Sequence, residues 1–129
     1  MKVIIAGTRY KDLEMRIPFD DYGLIVQAVE RSGFNMTELV CGMAIGVDKL
    51  GEQYAINRSI PVKEMPARWD LYCKKAGPLR NKAMAEYADA AVVIWDGVSE
   101  GTRNMIDCMI KFKKPYYIAM TASNLESFF

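Results

Sequence analysis

Apolar residues along this chain follow two rhythms that take turns. Continuous runs occur at "KVIIA" (2–6), "ELVCG" (38–42), "PVKEM" (61–65), "AAVVIW" (90–95) and "PYYIAM" (115–120). Runs of this length, several ending at glycine or a turn signal, read as strands buried on both faces. Between them the spacing changes to that of one helical face. Tyr22, Ile25, Val26 and Val29 form one such set, with Asp20 and Asp21 suited to a first turn and Gly33 just past the end. Val47, Leu50 and Tyr54 form a second. Ala83, Met84, Tyr87 and Ala88 place a third helix over about 78–88, and Met105, Ile106, Met109 and Ile110 give a fourth its apolar face. "PARWDLYCKKAGP" (66–78) reads as an irregular connection. Strands alternating with helices at this spacing predict a parallel sheet covered on both faces. The expected fold is a single Rossmann-like three-layer α/β domain with a five-stranded parallel sheet over residues 1–120. Residues 121–129 form a tail that could dock on the core or on a partner.

Composition narrows the function classes. A chain of 129 residues is one domain's worth, and burying roughly two-thirds of its unfolded surface gives it a proper core. A net charge of +1 supplies no overall attraction to nucleic acid or membrane. The three cysteines, Cys41, Cys73 and Cys108, show neither a CxxC pair nor metal-ligand spacing; two of them sit in apolar surroundings, and the reading is of buried thiols in a reducing compartment. With no secretory leader and no membrane-length apolar run in the pattern, the expected location is cytoplasmic. The sequence contains no histidine. That removes the commonest general base and metal ligand, so no metal or cofactor is expected. Any catalysis would rest on carboxylates, arginine, lysine, hydroxyls or backbone amides.

In open parallel sheets ligands bind beyond the carboxyl ends of the strands, near the point where strand order reverses. Three strand ends carry loops suited to that. In "AGTRYKD", Gly7, Thr8 and Arg9 form either a tight turn or a phosphate contact, with Arg9 able to pair bidentately. In "CGMAIGVD", Gly42, Gly46 and Asp48 follow the second strand, and Asp48 either caps the next helix or accepts from ribose hydroxyls. In "WDGVSEGTRNMI", Gly97, Ser99, Gly101 and Thr102 lead into a helix. They either cap it or offer its N–H groups and hydroxyls to a phosphate. Arg80 and Asn81 open the third helix, where an arginine opposes the helix dipole and an anion would explain it. Trp69 could stack on a nucleobase or close the core edge. Asp96 and Glu100 are the carboxylates nearest the phosphate loop and, with Arg80, are the candidate catalytic groups. "KFKK" (111–114) reads as a cationic helix end complementing the dipole.

In order and spacing, "IIAGTRYKD", "CGMAIGVDKLGEQYA" and the stretch from "PARWDLYCKKAGPLRNKAM" through "DGVSEGTRNMI" resemble the YspA-like (cpYpsA-related) branch of the SLOG superfamily. Its relatives include the DprA DNA-processing proteins and the Lonely Guy phosphoribohydrolases. The resemblance spans about residues 3–118 and is most specific from Ala76 to Ile106. It implies a pocket for a nucleotide or nucleotide-derived ligand, with ADP-ribose-like molecules favoured. Two departures stand out: Met43 occupies a position that is usually glycine, and Met105 aligns with the Lonely Guy glutamate that assists loss of the base. The expected function is therefore binding, as a sensor or sequestering protein. Hydrolysis of a base–ribose bond is the enzymatic alternative, with Asp48, Asp96 or Glu100 replacing the absent carboxylate. Single-stranded DNA binding is a third reading, which the balanced charge disfavours. Self-association as a homodimer or larger homo-oligomer is left open.

Overall fold

The structure, a computed structural model, describes residues 1–7, 18–42 and 47–120, the side chains of 18–21 excepted. In chain order the elements are β1 (Lys2–Gly7), α1 (Pro18–Ser32), β2 (Glu38–Cys41), α2 (Val47–Asn57) and β3 (Val62–Glu64). There follow α3 (Trp69–Tyr72), a 3-10 turn (Cys73–Lys75), α4 (Ala76–Tyr87), β4 (Ala90–Trp95), α5 (Glu100–Lys111) and β5 (Tyr116–Met120). All strand pairings are parallel, in the order β3-β2-β1-β4-β5. Val3 lies between Leu39 and Ala90, which makes β1 the central strand. The expected α/β domain with a five-stranded parallel sheet is what the chain forms.

The sequence of strand addition explains the layers. From β1 through β3 the sheet grows one way; β4 and β5 are added on the other side of β1. Crossovers of one hand therefore change face when the direction reverses. Helices α1 and α2 cover one face, where Val3, Ile5, Leu39, Val92 and Ile94 meet Ile25, Val29, Val47 and Tyr54. Helices α4 and α5 cover the other, where Ile4, Ala6, Val40, Ala91 and Val93 meet Met84, Ala85, Ala88, Met105, Ile106 and Met109. Alternate residues of β1, β2 and β4 thus enter different cores, and these strands carry no polar face for that reason. The edge strands β3 and β5, expected to be buried on both faces, instead keep exposed positions, Lys63 and Glu64 in one and Tyr116 and Ile118 in the other. The reversal point lies between β1 and β4.

Several expectations change. The stretch 66–78 contains α3 and the 3-10 turn, and α4 starts at Ala76, ahead of Pro78. A proline in the first turn costs no helical hydrogen bond, so it need not mark the boundary. Ile110 is exposed, because α5 lies over β4 and β1, and Met105, Ile106 and Met109 already cover that contact. Of the three free thiols only Cys41 is buried; Cys108 is half-buried and Cys73 exposed. Burial and the neighbouring Asp107 push the Cys108 thiol up, away from reactivity. In "KFKK", Lys111 does lie in the last turn of α5. Lys114 instead caps a neighbouring helix: its ammonium donates to the carbonyls of Ala85, Glu86 and Ala88 at the end of α4, at 2.6–2.7 Å. Among the described residues no helix is long and apolar enough to cross a membrane, and no group of His, Cys, Asp and Glu could hold a metal ion. The tail 121–129 lies outside the described residues.

Candidate functional site

Beyond the carboxyl end of β1, where the strand order reverses, lies a cleft of about 570 Å³. Its walls are the first turns of α4 and α5, with Asp48 of α2 on one side and Trp69 of α3 on the other. Ala6, Met84 and Met105 contribute apolar surface beneath them. The volume falls within the range of about 300–1,000 Å³ usual for small-molecule sites.

The turn between β4 and α5 is built by Asp96. Its Oδ1 accepts from the N–H groups of Val98 (2.9 Å) and Ser99 (2.8 Å), and its Oδ2 accepts from the Ser99 hydroxyl (2.8 Å). This is the local self-capping that aspartate performs in tight turns. Partial burial pushes the Asp96 carboxyl up. The three donated hydrogen bonds outweigh it and hold the group below the usual carboxylate range. Gly97 follows with φ +87°, a conformation that favours glycine. The Trp95 indole N–H donates to the Ser99 carbonyl (3.1 Å), so both sides of the turn are fixed. Asp96 and Gly97 consequently shape the loop from behind and do not line the cleft. Ser99 spends its N–H and its hydroxyl proton on Asp96, so neither donor remains for a phosphate.

The donors that remain lie one turn further on. No side chain caps α5. Among the described residues the N–H groups of Glu100, Gly101 and Thr102 have no acceptor, the first intrahelical bond being Arg103 N–H to the Ser99 carbonyl (3.1 Å). Thr102 is only 5% exposed, lines the cleft, and its hydroxyl has no hydrogen-bond partner among the described residues. A buried hydroxyl without a partner is a cost that folding alone does not explain.

Asn81, 8% exposed, joins α4 to α5. Its amide donates to the Gly101 carbonyl (3.2 Å) and to Asn104 Oδ1 (3.0 Å), while its Oδ1 accepts from Arg80 Nε (3.0 Å). It is a strut that sets where α5 begins. Arg80 Nη1 also donates to the Gly42 carbonyl at the end of β2. The space where a Gly42 side chain would stand is filled by the Arg80 guanidinium and Asp48 Oδ2, at 2.5 and 2.8 Å from an ideal Cβ. Opposite charges thus converge on that glycine, which answers why an arginine sits early in α4. Asp48 is 5% exposed and faces the cleft.

The glycines separate into two kinds. A Cβ on Gly7 would strike the Ile94 carbonyl, which is backbone, so the fold requires that glycine; one on Gly42 would displace the ends of the Arg80 and Asp48 side chains and so disturb the cleft wall. Gly101 has nothing within 4 Å of such an atom and no positive φ, so packing does not require it. Thr8, Arg9 and Gly46 lie outside the described residues. Of the three carboxylates proposed for chemistry, Asp48 and Glu100 line the cleft and Asp96 does not. The sequence reading missed Asn104, whose only signal is an asparagine inside a helix, where its propensity is poor. It also missed Gly77 and Pro78, which line the cleft from the first turn of α4. Comparison with protein-family models, curated proteins and solved structures found no match to this chain.

Proposed function

We propose that the chain binds a nucleotide or nucleotide-derived ligand, ADP-ribose-like molecules included, and holds it without cutting it. In this reading a phosphate sits on the first turn of α5, against the N–H groups of Glu100, Gly101 and Thr102 and the Thr102 hydroxyl. The helix dipole adds to their attraction. The observation that carries it is the buried, unpartnered Thr102 hydroxyl beside an uncapped helix start. Gly101, which packing leaves unexplained, lets the anion approach the backbone. Arg80 supplies positive charge from the α4 side, and Asp48 is placed to accept from ribose hydroxyls. Binding without cleavage follows from the buried Met105 at the floor, where a base-releasing carboxylate would stand in the resembled enzymes.

The test uses Thr102→Val. If the hydroxyl serves only the fold, the change destabilises. In this reading it leaves the melting temperature unchanged or raises it, since an unsatisfied polar group is removed, yet weakens binding about 10-fold or more. Purified protein is incubated with AMP, ADP-ribose and cyclic ADP-ribose-type molecules, ultrafiltered, and both fractions are chromatographed. Intact ligand in the denatured retentate supports holding. Free base in the filtrate would establish hydrolysis instead and direct attention to Glu100 and Asp48.

A further inference from the structure

The edge strand β5 is covered on one face only. Tyr117 and Ala119 pack on the core beneath α1 and α2. Tyr116 and Ile118 point the other way, because successive side chains of a strand alternate. Their register agrees: Tyr116 lies beside Ala91 and Ile118 beside Val93, and both of those enter the core beneath α4 and α5. Yet α5 lies over β4 and β1, and α4 over β1, so among the described residues no helix is packed over β5 on this face. Tyr116 and Ile118 are exposed there, and Met120 continues their row.

Helix α5 adds a second wall. Toward α4 it turns Asn104, Asp107, Cys108 and Lys111, which line a groove shared with that helix. Its opposite side, toward β5, carries Arg103, Ile106 and Ile110 at helical spacing. Ile110 is exposed. Ile110, Tyr116 and Ile118 thus bound one apolar recess between α5 and the sheet edge.

The chain itself holds a segment of matching chemistry. Residues 121–129, "TASNLESFF", follow directly on Met120. Leu125, Phe128 and Phe129 have the spacing of one helical face. Ser123, with Glu126 three residues on, has the pattern of a capping box that starts a helix. The lengths agree as well. Six residues of helix rise about 9 Å, while Ile118 and Tyr116 lie back from Met120 by about 7 and 13 Å of strand. We infer that residues 121–129 turn back at the end of β5 and seat Leu125, Phe128 and Phe129 on Ile110, Tyr116 and Ile118. The segment then closes the open edge of the core beneath α4 and α5.

Methyl NMR on the full chain tests this. The δ1-methyl signals of Ile110 and Ile118, assigned through Ile110→Val and Ile118→Val, are expected to show nuclear Overhauser contacts to phenylalanine rings. The double substitution Phe128→Ala with Phe129→Ala is expected to remove them. Melting temperatures supply a second readout. Ile118→Ser is expected to lower the melting temperature of the wild type, and to have less than half that effect once Phe128 and Phe129 are alanine. On an uncovered strand edge the two shifts would be equal, since residues that do not touch act independently. Absent contacts, contacts that survive the double substitution, or equal shifts each overturn the inference. So do contacts found only between labelled and unlabelled chains in a mixed sample, which would put a second copy of the chain on this face.

Discussion

The two faces of the sheet are built from different materials. Under α1 and α2 the core is mostly β-branched and bulky: Val3, Ile5, Ile25, Val29, Leu39, Val47, Val92 and Ile94. Under α4 and α5 alanine and methionine predominate, with Ala6, Ala85, Ala88 and Ala91 beside Met84, Met105 and Met109, and the branched Ile4, Val40, Val93 and Ile106 are the minority. Branched side chains have few rotamers and make a stiff contact. Alanine brings helices close, and methionine fills irregular space with an adaptable chain. The cleft opens on the second face, and two of those methionines reach it. One side of the sheet therefore serves as a platform and the other as a surface able to shape itself around an occupant.

The contrast can be broken most severely at the strand that both faces share. Gly7→Ala drives a Cβ into the Ile94 carbonyl and against Val47. Since backbone cannot step aside, a loss of about 3 kcal/mol or more is expected, at the upper end for overpacking. Urea unfolding measures it, and a loss under about 1 kcal/mol would show that β1 and β4 can separate at this end. Paired core changes then compare the faces directly. Ile5→Ala on the platform side is expected to cost about 2–5 kcal/mol. Met105→Ala on the cleft side is expected to cost less, near the lower end of that range of about 2–5 kcal/mol, because the adaptable methionine face can close around the gap. Equal losses would remove the distinction between a stiff and an adaptable face. The smallest effect belongs to Asp96→Asn, about 1 kcal/mol from weakened capping of the turn. Because the folded-state carboxyl titrates below its unfolded value, its contribution is present above about pH 4 and fades as pH falls further. Wild type and Asp96→Asn should therefore differ in melting temperature at neutral pH and converge as the carboxyl is protonated in acid.

How much of this was legible beforehand depended on which physical signal each part emits. Strands β1, β2 and β4 were readable because burial on two faces leaves unbroken apolar runs, and four helices because burial on one face leaves helical spacing. The edge strands β3 and β5 were readable from their place in the alternation, being partly exposed. The short α3 emits neither signal, since Trp69, Leu71 and Tyr72 are all exposed. The loops of the site were readable as glycine-rich strand ends, but the division of labour inside them was not. Ser99 and Asp96 are both plausible phosphate or catalytic residues by type. Only the folded turn brings them together and occupies them with each other. Arg80 likewise looked like an arginine in want of an anion until the Gly42 carbonyl and Asp48 came beside it. The unpartnered state of Thr102 has no sequence signature at all.

The central place of β1 has a bearing on how the chain reaches this shape. Gly7 pairs with Ile94, and Val3 with Ala90, so β1 finds its second neighbour only after about 80 further residues have been made. Until then one whole edge of β1, apolar on both sides, stands open. Contacts this distant in sequence form slowly, because long loops must close before they are rewarded. Nascent chains stopped before β4 carry an exposed strand edge, a form open to wrong association.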